Sequence, residues 1–483
     1  MKTGILWLTS FLCFWWQANA QLLGVDQLKE DFSLIQAALK EVHPDLFRFA
    51  SAERLDSAFA AAAAQLAQPM TQEEFYRAML PLLALLRDGH IKWIVAGQDQ
   101  HYPFHTQQLF PLKLYFVGTR AWIAGTYGQD QLPLGAEVVK INDKPIDAIV
   151  EHLLPRILFA DGYTINGKYH ELNNFFSGHY ATHFGAHEHF TVSYRQDGEE
   201  KEATIQAVPL ASIQANAQSV HHQPESPYQF AFLKEKVGLL SLSSFSGSKK
   251  DYKAFLKNTF RQLKEQNAQQ LILDLRNNEG GNESFGMMLY AYLAKAPFLY
   301  YDHIQVNAVK KTSFPVYYRP KHYQILRKLL VRKTEKGHMV KGLPGLKIMR
   351  PERDAFDGDL YVLTNGSSYS VSCEFAARAH ADQRAIIIGQ EAAGSYEGNN
   401  SGLFTIVRLP HAQIDLGIPM MGFYMADLPA SLASGQGIVP HHALIPGIED
   451  ILHERDVEMA FVLQLIHEKQ INSAGSTLQE KGS

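Results

Sequence analysis

The chain has 483 residues, of which 46% are hydrophobic and 19% are charged, and its formal net charge is -4. This length predicts two or three domains, and the composition is typical of a globular protein without low-complexity tracts. The overall charge balance gives no indication of binding to nucleic acid or to an anionic membrane surface.

The first twenty residues have the pattern of a secretory signal peptide. Lys2 precedes an apolar run over residues 4–16, which is too short to span a bilayer, and residues 18–20 (Ala-Asn-Ala) suit a cleavage site. We therefore expect export to the periplasm or beyond, with a mature chain that begins at Gln21. The alternative for this run is a buried or anchoring helix. No later segment is apolar enough to predict an integral membrane span.

Residues 21–97 are predicted to form an N-terminal helical domain. Apolar residues at three- and four-residue steps between Leu28 and Val42 indicate one amphipathic helix. Ser51 is a suitable N-cap for a second helix, and Thr71 with Glu74 fits the capping box of a third.

The end of the third helix carries a candidate site residue. We expect the helix to stop at Asp88-Gly89, where glycine accommodates a left-handed backbone, and a strand to follow His90. Taken alone, a histidine after a helix end is usually structural.

Residues 101–215 are predicted to form a β-rich domain. The stretch 133–146 (Pro-Leu-Gly-Ala-Glu-Val-Val-Lys-Ile-Asn-Asp-Lys-Pro-Ile) resembles the core of a PDZ domain, in which a strand ends in a tight turn before a helix. Because no clear glycine-rich carboxylate-binding loop is present, we expect a degenerate PDZ-like domain. A PDZ groove binds an extended peptide as an added strand. A plain β-domain that only packs on its neighbour is equally compatible with the pattern.

Residues 225–471 alternate apolar strands with helices, which predicts an α/β domain with a largely parallel sheet. A basic segment over residues 316–354 interrupts the alternation, and we interpret it as a solvated insertion or, as a weaker alternative, a lid. The polar tail over 472–483 is expected to be disordered.

Two turns of this α/β region carry candidate catalytic groups. The first is Asp-Leu-Arg-Asn-Asn-Glu-Gly-Gly-Asn over residues 274–282, where Gly280 and Gly281 let backbone N–H groups point into a cleft. The second is Thr-Asn-Gly-Ser-Ser-Tyr-Ser over residues 364–370, followed by a helix that places Ser370 near a positive dipole end. A helix N-cap is the commonest reason for a serine at such a position.

Together the two turns resemble the tail-specific protease family, which includes C-terminal processing peptidases, the tricorn core and the interphotoreceptor retinoid-binding protein modules. Order, spacing and the Glu-Phe-Ala that follows over residues 374–376 agree with that family. The resemblance implies a crotonase-like (ClpP/crotonase) catalytic domain, Ser370 as nucleophile, and peptides or unfolded proteins as substrates. It implies no cofactor and no metal.

A serine nucleophile needs a base, and the family offers two. The lysine of one branch would fall on position 395, which is Ser395 here, so the Ser–Lys dyad is absent. The tricorn-like branch uses a histidine from the N-terminal region, and Asp-Gly-His at residues 88–90 matches it, which implies His90 as the general base.

The group that orients this base is left open. In the tricorn-like branch a serine precedes the histidine and a distant glutamate completes a tetrad, but position 89 is glycine here. Candidate orienting acids are Asp88, Glu374 and Glu397. The family's late Pro-Asp pair is also replaced, by Pro440 and His441.

The expected reaction is attack of Ser370 on a peptide carbonyl, with the oxyanion held by the N–H of Val371 and of Gly280 or Gly281. No Gly-x-Ser-x-Gly elbow and no His-Glu-x-x-His motif occurs, which argues against an α/β-hydrolase and a zinc peptidase. The rival interpretation is an inactive module on the same fold that binds a peptide or an apolar ligand. The oligomeric state is not indicated.

Overall fold

The computed structural model describes residues 22–220, 226–233, 236–429 and 432–480, so the predicted signal peptide lies outside the described residues. Within these ranges the strands form three sheets of six strands each. In the same ranges no helix combines the length and the apolar character needed to cross a membrane.

The N-terminal region contains three helices and one strand: α1 (Val25–Val42), α2 (Ala52–Gln65), α3 (Gln72–Leu85) and β1 (Lys92–Val95). Both predicted caps are present. Ser51 accepts a hydrogen bond from the N–H of Arg54, and Thr71 and Glu74 form a reciprocal capping box. These local contacts define the helix starts as the sequence predicts.

The β-rich region contains six strands and three α-helices, which are β2 (Leu112–Val117), β3 (Arg120–Thr126), β4 (Glu137–Ile141), β5 (Lys144–Pro145), α4 (Ile146–Leu153), α5 (Asn166–Phe184), β6 (His189–Gln196), β7 (Glu199–Gln206) and α6 (Leu210–Val220). The strands form an antiparallel sheet in the order β2-β3-β4-β6-β7, with β5 paired to β4. Its core includes Phe110, Phe176 and Tyr180 from around α5.

The α/β region is built on a sheet that is parallel except at one edge, as predicted. Its elements are β8 (Tyr228–Phe232), β9 (Val237–Leu242), α7 (Lys249–Glu265), β10 (Gln270–Asp274), α8 (Glu283–Ala291), β14 (Asp359–Thr364), α10 (Val371–Ala381), β15 (Ile386–Gly389) and β18 (His442–Ala443). The strand order is β18-β15-β14-β10-β9-β8, and only β8 runs antiparallel to its neighbour. Because β10 and β14 are adjacent and parallel, the turns that follow them meet at one edge of the sheet.

The third sheet joins distant parts of the chain. Besides β1 it contains β11 (Tyr301–Val306), β12 (Val331–Thr334), β13 (Gly337–Val340), β16 (Asn400–Arg408) and β17 (Ile414–Met425), and α9 (Tyr323–Leu330) precedes β12. The last two helices, α11 (Ile448–Leu452) and α12 (Val457–Glu480), contact the other two sheets. The basic segment is thus partly structured, since β13 pairs with β11. The helix α12 covers most of the tail that was expected to be disordered.

The N-terminal helices do not form a free-standing unit. Strand β1 pairs antiparallel with β17, with Trp93 opposite Leu416. Leu28, Phe75 and Ile414 belong to one buried cluster that joins the helices to this sheet. This shared core carries the residues just before β1, including His90, to the α/β region.

Candidate active site

The two glycine- and serine-containing turns are hydrogen-bonded to each other. The N–H of Asn277 donates to Oδ1 of Asn365 at 3.0 Å, and Nδ2 of Asn365 donates to Oδ1 of Asn277 at 2.9 Å. The N–H of Tyr369 donates to the carbonyl of Asn278 at 3.0 Å. The turns after β10 and β14 therefore act as one rigid support for Ser370.

Gly280 is required by the closeness of this contact. A Cβ at position 280 would lie 2.8 Å from Cβ of Ser370 and 3.0 Å from the nitrogen of Val371, and the backbone φ is +100°. Only glycine tolerates both the conformation and the approach.

Ser370 sits at the start of α10 but does not cap it. Its side chain makes no capping hydrogen bond, and its backbone adopts φ 55° and ψ -117°, which is rare for a residue other than glycine. Oγ lies 3.2 Å from Nε2 of His90, and both residues are buried, at 9% and 8% exposure. The strained backbone thus directs the hydroxyl to the imidazole, as in the nucleophile turns of hydrolases.

Tyr369 holds the other side of the imidazole. Its hydroxyl lies 2.7 Å from Nδ1 of His90 and donates to Oδ1 of Asp161 at 2.8 Å, and the His90 and Tyr369 rings stack with centroids 4.7 Å apart. When the hydroxyl donates to Asp161, its oxygen accepts from Nδ1–H, which leaves Nε2 as acceptor for Ser370. The four residues form one hydrogen-bonded chain with the histidine in the tautomer that a base requires.

Gly89 makes room for this tyrosine, which corrects the expected reason for a glycine here. The left-handed residue at the end of α3 is Arg87, with φ 53°, and not Gly89. A Cβ at position 89 would lie 2.6 Å from the hydroxyl oxygen of Tyr369 and 2.8 Å from the nitrogen of Ala160. The Tyr369 hydroxyl therefore occupies the space that a serine side chain would need at position 89.

We expect Gly89→Ala to lower the free energy of unfolding by about 1–3 kcal/mol, because the added methyl group meets backbone that cannot yield. Urea denaturation measures the change. Gly125→Ala is the matched control, since a Cβ there meets only Cβ of Lys113 at an ordinary 3.6 Å. Equal stability of the two variants would contradict the packing at Gly89.

Burial shifts the pKa values of the side chains that are hydrogen-bonded around His90. It lowers the pKa of His90 to about 4, partly offset by the Asp88 carboxylate. Burial, followed by the charge of Asp88, raises the pKa of Asp161 to about 8. Burial also raises the pKa of Tyr369 well above its ordinary value. At neutral pH the imidazole is therefore neutral and able to accept a proton.

Asp88, one of the three candidate orienting acids, supports His90 through the backbone. Its Oδ1 accepts from the N–H of His90 at 2.9 Å, whereas Nδ1 of the ring is 3.9 Å away. Its Oδ2 binds Nε2 of His43 at 2.8 Å and accepts from Nδ2 of Asn400 at 3.0 Å. Burial opposes ionisation of Asp88, but the hydrogen bond and charge of His43, together with the contributions of His90, outweigh it and lower the pKa.

The structure places the other two candidate acids away from the imidazole. The Glu374 carboxylate accepts from the hydroxyl of Tyr301 and from Nδ2 of Asn399, and burial raises its pKa to about 7. The Glu397 carboxylate lies 3.6 Å from Nε of Arg48. Neither makes a hydrogen bond to His90 among the residues that the structure describes.

Two backbone donors near Ser370 have no acceptor in the described part of the chain: the N–H groups of Val371 and Gly281. The N–H of Gly280 donates to Oδ1 of Asn278 at 2.9 Å. Of the two glycines left open by the sequence, Gly281 therefore has the free N–H, and its role as an oxyanion donor stays a prediction.

Asp88, His90 and Asp161 also have ligand-type atoms that lie within 4.8 Å of one another, close enough for a metal ion. Most of their side-chain atoms have hydrogen-bond partners, but the buried Oδ2 of Asp161 has none among the described residues. Oδ1 of Asp161 accepts from both Tyr369 and the N–H of Gly89, and Asp88 binds His43 and Asn400. The absence of a metal requirement stays a prediction.

Sequence reasoning missed Tyr369 and Asp161. Tyr369 had one available signal, since it directly precedes the candidate nucleophile and a phenol can replace the missing serine hydroxyl. Asp161 had none, because it lies in the loop before α5 with no recognisable motif around it.

The chain is similar to known proteins in part of its sequence and in its fold. Residues 236–405 match the model of peptidase family S41. No curated protein sequence matches the chain significantly. Among solved structures, mature CPAF complexed with lactacystin has a TM-score of 0.63 at 14% identity, covering 93% of this chain and 99% of that one. Mature CPAF alone has a TM-score of 0.60 at 14% identity, covering 89% and 94% of the two chains. At these identities the likeness shows a shared fold.

Proposed function

We propose that this chain, which carries a segment of peptidase family S41 over residues 236–405, is a serine endopeptidase with Ser370 as nucleophile and His90 as general base. The observation that carries the proposal is the 3.2 Å contact between Oγ of Ser370 and Nε2 of His90, with Nδ1 of the same ring held by Tyr369. This is the geometry that converts a weak hydroxyl nucleophile into a reactive one.

The reaction begins when Oγ of Ser370 attacks a peptide carbonyl and Nε2 of His90 takes its proton. The imidazolium that forms is stabilised by the Asp88 carboxylate, whose Oδ1 lies 3.9 Å from Nδ1. Its Nδ1–H donates to the Tyr369 hydroxyl, which Asp161 holds in place by accepting a hydrogen bond from it. Return of the proton to the leaving amine releases the first product. Water then hydrolyses the acyl-enzyme with His90 again as the base.

The oxyanion of the tetrahedral intermediate needs two or more donors. The N–H groups of Val371 and Gly281 suit this role because both are unpaired within the described residues. Val371 directly follows the nucleophile, and Gly281 follows Gly280, whose backbone lies against Ser370. The α10 helix start adds positive potential at Val371.

We also propose a finer fold assignment and a location. The parallel sheet with helices supports a crotonase-like catalytic core. The tight turn at Asn142 and Asp143, both with positive φ, supports a degenerate PDZ-like domain before α4.

The sequence pattern of residues 1–20 supports export. The proposed substrates are peptides or unfolded proteins. N-terminal sequencing of the secreted protein tests the start at Gln21.

A serine-reactive fluorophosphonate tests the proposed function. We expect it to label the wild type on Ser370, identified by peptide mass mapping, and to spare Ser370→Ala. Ser372→Ala is the matched control from the same Ser-x-Ser cluster, because that hydroxyl is fully buried and donates to the carbonyl of Asn278. Lactacystin, which is in complex with mature CPAF in one of the similar structures, is a second probe.

An inactive binding module on the same fold predicts no labelling of any of these proteins. Labelling that persists in Ser370→Ala would assign the nucleophile to another residue. The complete hydrogen-bonded chain from Ser370 to Asp161 argues against the inactive module, since a binding protein has no need of it.

The pH dependence of the reaction follows from the buried imidazole. Because burial lowers the pKa of His90 to about 4, the base remains neutral until the pH falls to that value. We expect kcat/KM to be nearly constant between about pH 5 and 7 and to fall as the pH drops through about 4. A loss centred near 6.5, the ordinary value for histidine, would contradict this environment. Initial rates over the pH range, with the fold monitored by circular dichroism, provide the measurement.

A further inference from the structure

A stretch that overlaps the basic segment over 316–354 and begins eight residues before it has an unusual charge balance. Residues 308–350 contain twelve lysines and arginines and a single acidic residue, Glu335, although the whole chain has a net charge of -4. The overall balance therefore hides a strongly positive region. The twelve residues are Lys310, Lys311, Arg319, Lys321, Arg327, Lys328, Arg332, Lys333, Lys336, Lys341, Lys347 and Arg350.

None of these twelve cations forms an ion pair with a carboxylate among the residues that the structure describes. Elsewhere the chain does pair its cations, as when Arg408 binds Asp415 at 2.7 Å and Arg276 binds Asp456 at 2.7 Å. An unneutralised cluster of this size produces a positive surface potential that attracts a polyanion.

Apolar side chains are exposed within the same surface. In α9, Ile325 and Leu329 are 63% and 61% exposed, and Lys328 lies on the same helical stripe. Arg332 and Lys333 are exposed on β12, the edge strand that directly follows α9, where they lie on alternate faces of the strand. These five residues are called the α9 face below.

The opposite side of α9 is anchored to the protein. Tyr323 and Arg327 are buried, and the Arg327 guanidinium donates to the hydroxyl of Tyr323 and to the carbonyl of Ala308, both at 3.0 Å. The helix therefore presents its aliphatic and basic residues outward as a fixed surface.

We propose that the α9 face docks the enzyme on an anionic phospholipid surface. Lysines and arginines beside protruding aliphatic side chains are the combination that binds lipid headgroups and inserts into the headgroup boundary. A nucleic acid would satisfy the positive charge but offers no partner for Ile325 and Leu329. Docking here would bring the proposed peptidase site to substrates at a membrane.

Vesicle co-sedimentation tests the docking with the mature full-length chain. We expect the protein to sediment with vesicles of equal parts phosphatidylglycerol and phosphatidylcholine and to remain in solution with pure phosphatidylcholine. High salt should release it, because screening weakens attraction between exposed charges.

Two variants separate the contributions of charge and apolar contact. Lys328→Glu/Arg332→Glu/Lys333→Glu and Ile325→Ser/Leu329→Ser are each expected to weaken vesicle binding by about tenfold or more. The matched control is Lys249→Glu/Lys250→Glu/Lys253→Glu, which makes the same charge change at exposed lysines of α7 and should keep most of the binding. Hydrolysis of a soluble peptide should be unchanged in all three and serves as the test of folding.

Several outcomes would overturn the lipid assignment. These are equal binding to both vesicle types, wild-type binding by both α9 variants, and equal loss in the α7 control. Binding to polyglutamate without binding to phosphatidylglycerol vesicles would identify an acidic polypeptide as the occupant instead.

Discussion

Replacing Ser370 with alanine is expected to lower kcat by about 10⁴-fold or more, because no other hydroxyl contacts His90 Nε2 among the described residues. His90→Ala should lower kcat by about 100-fold at the least, since the hydroxyl would then attack without a base. Turnover of an unstructured peptide under saturating conditions measures both effects, and thermal unfolding checks that each variant is folded.

The double variant gives a sharper test than either single one. If Ser370 and His90 act as a unit, Ser370→Ala/His90→Ala should be no slower than Ser370→Ala alone. Effects that multiply would indicate that the two residues act independently. Normal turnover in either single variant would remove that residue from the mechanism.

Tyr369→Phe is expected to lower kcat by about 10²-fold or more with little change in KM. The substitution removes the hydroxyl that accepts from Nδ1–H of His90 and donates to Asp161, so the imidazole loses both its tautomeric preference and its orientation. Loss of the partner of the base nitrogen has effects of this size in serine hydrolases, because the wrong tautomer cannot accept the serine proton.

The hydrogen bonds from His90 through Tyr369 to Asp161, called the Tyr369 relay here, predict an order of residual activity among the variants of Asp161. Asp161→Asn keeps an oxygen acceptor for the Tyr369 hydroxyl and should retain more activity than Asp161→Ala, which removes it. If Tyr369 and Asp161 had only a structural role, their variants would be less stable, but the fall of kcat/KM at low pH would be unchanged. Tyr369→Phe with wild-type kcat, or Asp161→Ala more active than Asp161→Asn, would refute the relay.

Local patterns predicted a large part of the fold. The caps at Ser51 and Thr71 and the strand β4 of the PDZ-like stretch form as the sequence indicates, since helix starts and amphipathic strands depend on residues within a few positions. The parallel sheet was also predictable, because alternating apolar strands and helices have few ways to pack.

Local patterns did not predict the role of a residue where that role depends on a partner distant in the sequence. Gly89 follows a helix and was expected to supply a left-handed turn, yet its neighbour Arg87 does so and Gly89 instead accommodates Tyr369, which is far away in the chain. Asp88 was a candidate orienting acid because it is near His90 in sequence. Its carboxylate instead binds the His90 backbone N–H and the side chain of His43.

The sequence by itself determined the chemical types present, namely the serine at a helix start, the glycine pair after β10 and the histidine before β1, because each belongs to a short motif whose spacing can be read directly. Only the tertiary structure decided which groups meet. The pairing of β1 with β17 and of β10 with β14 brings His90 to Ser370 and places Tyr369 and Asp161 behind the imidazole. Such contacts depend on strand register and on packing between segments distant in the chain, which no local pattern specifies.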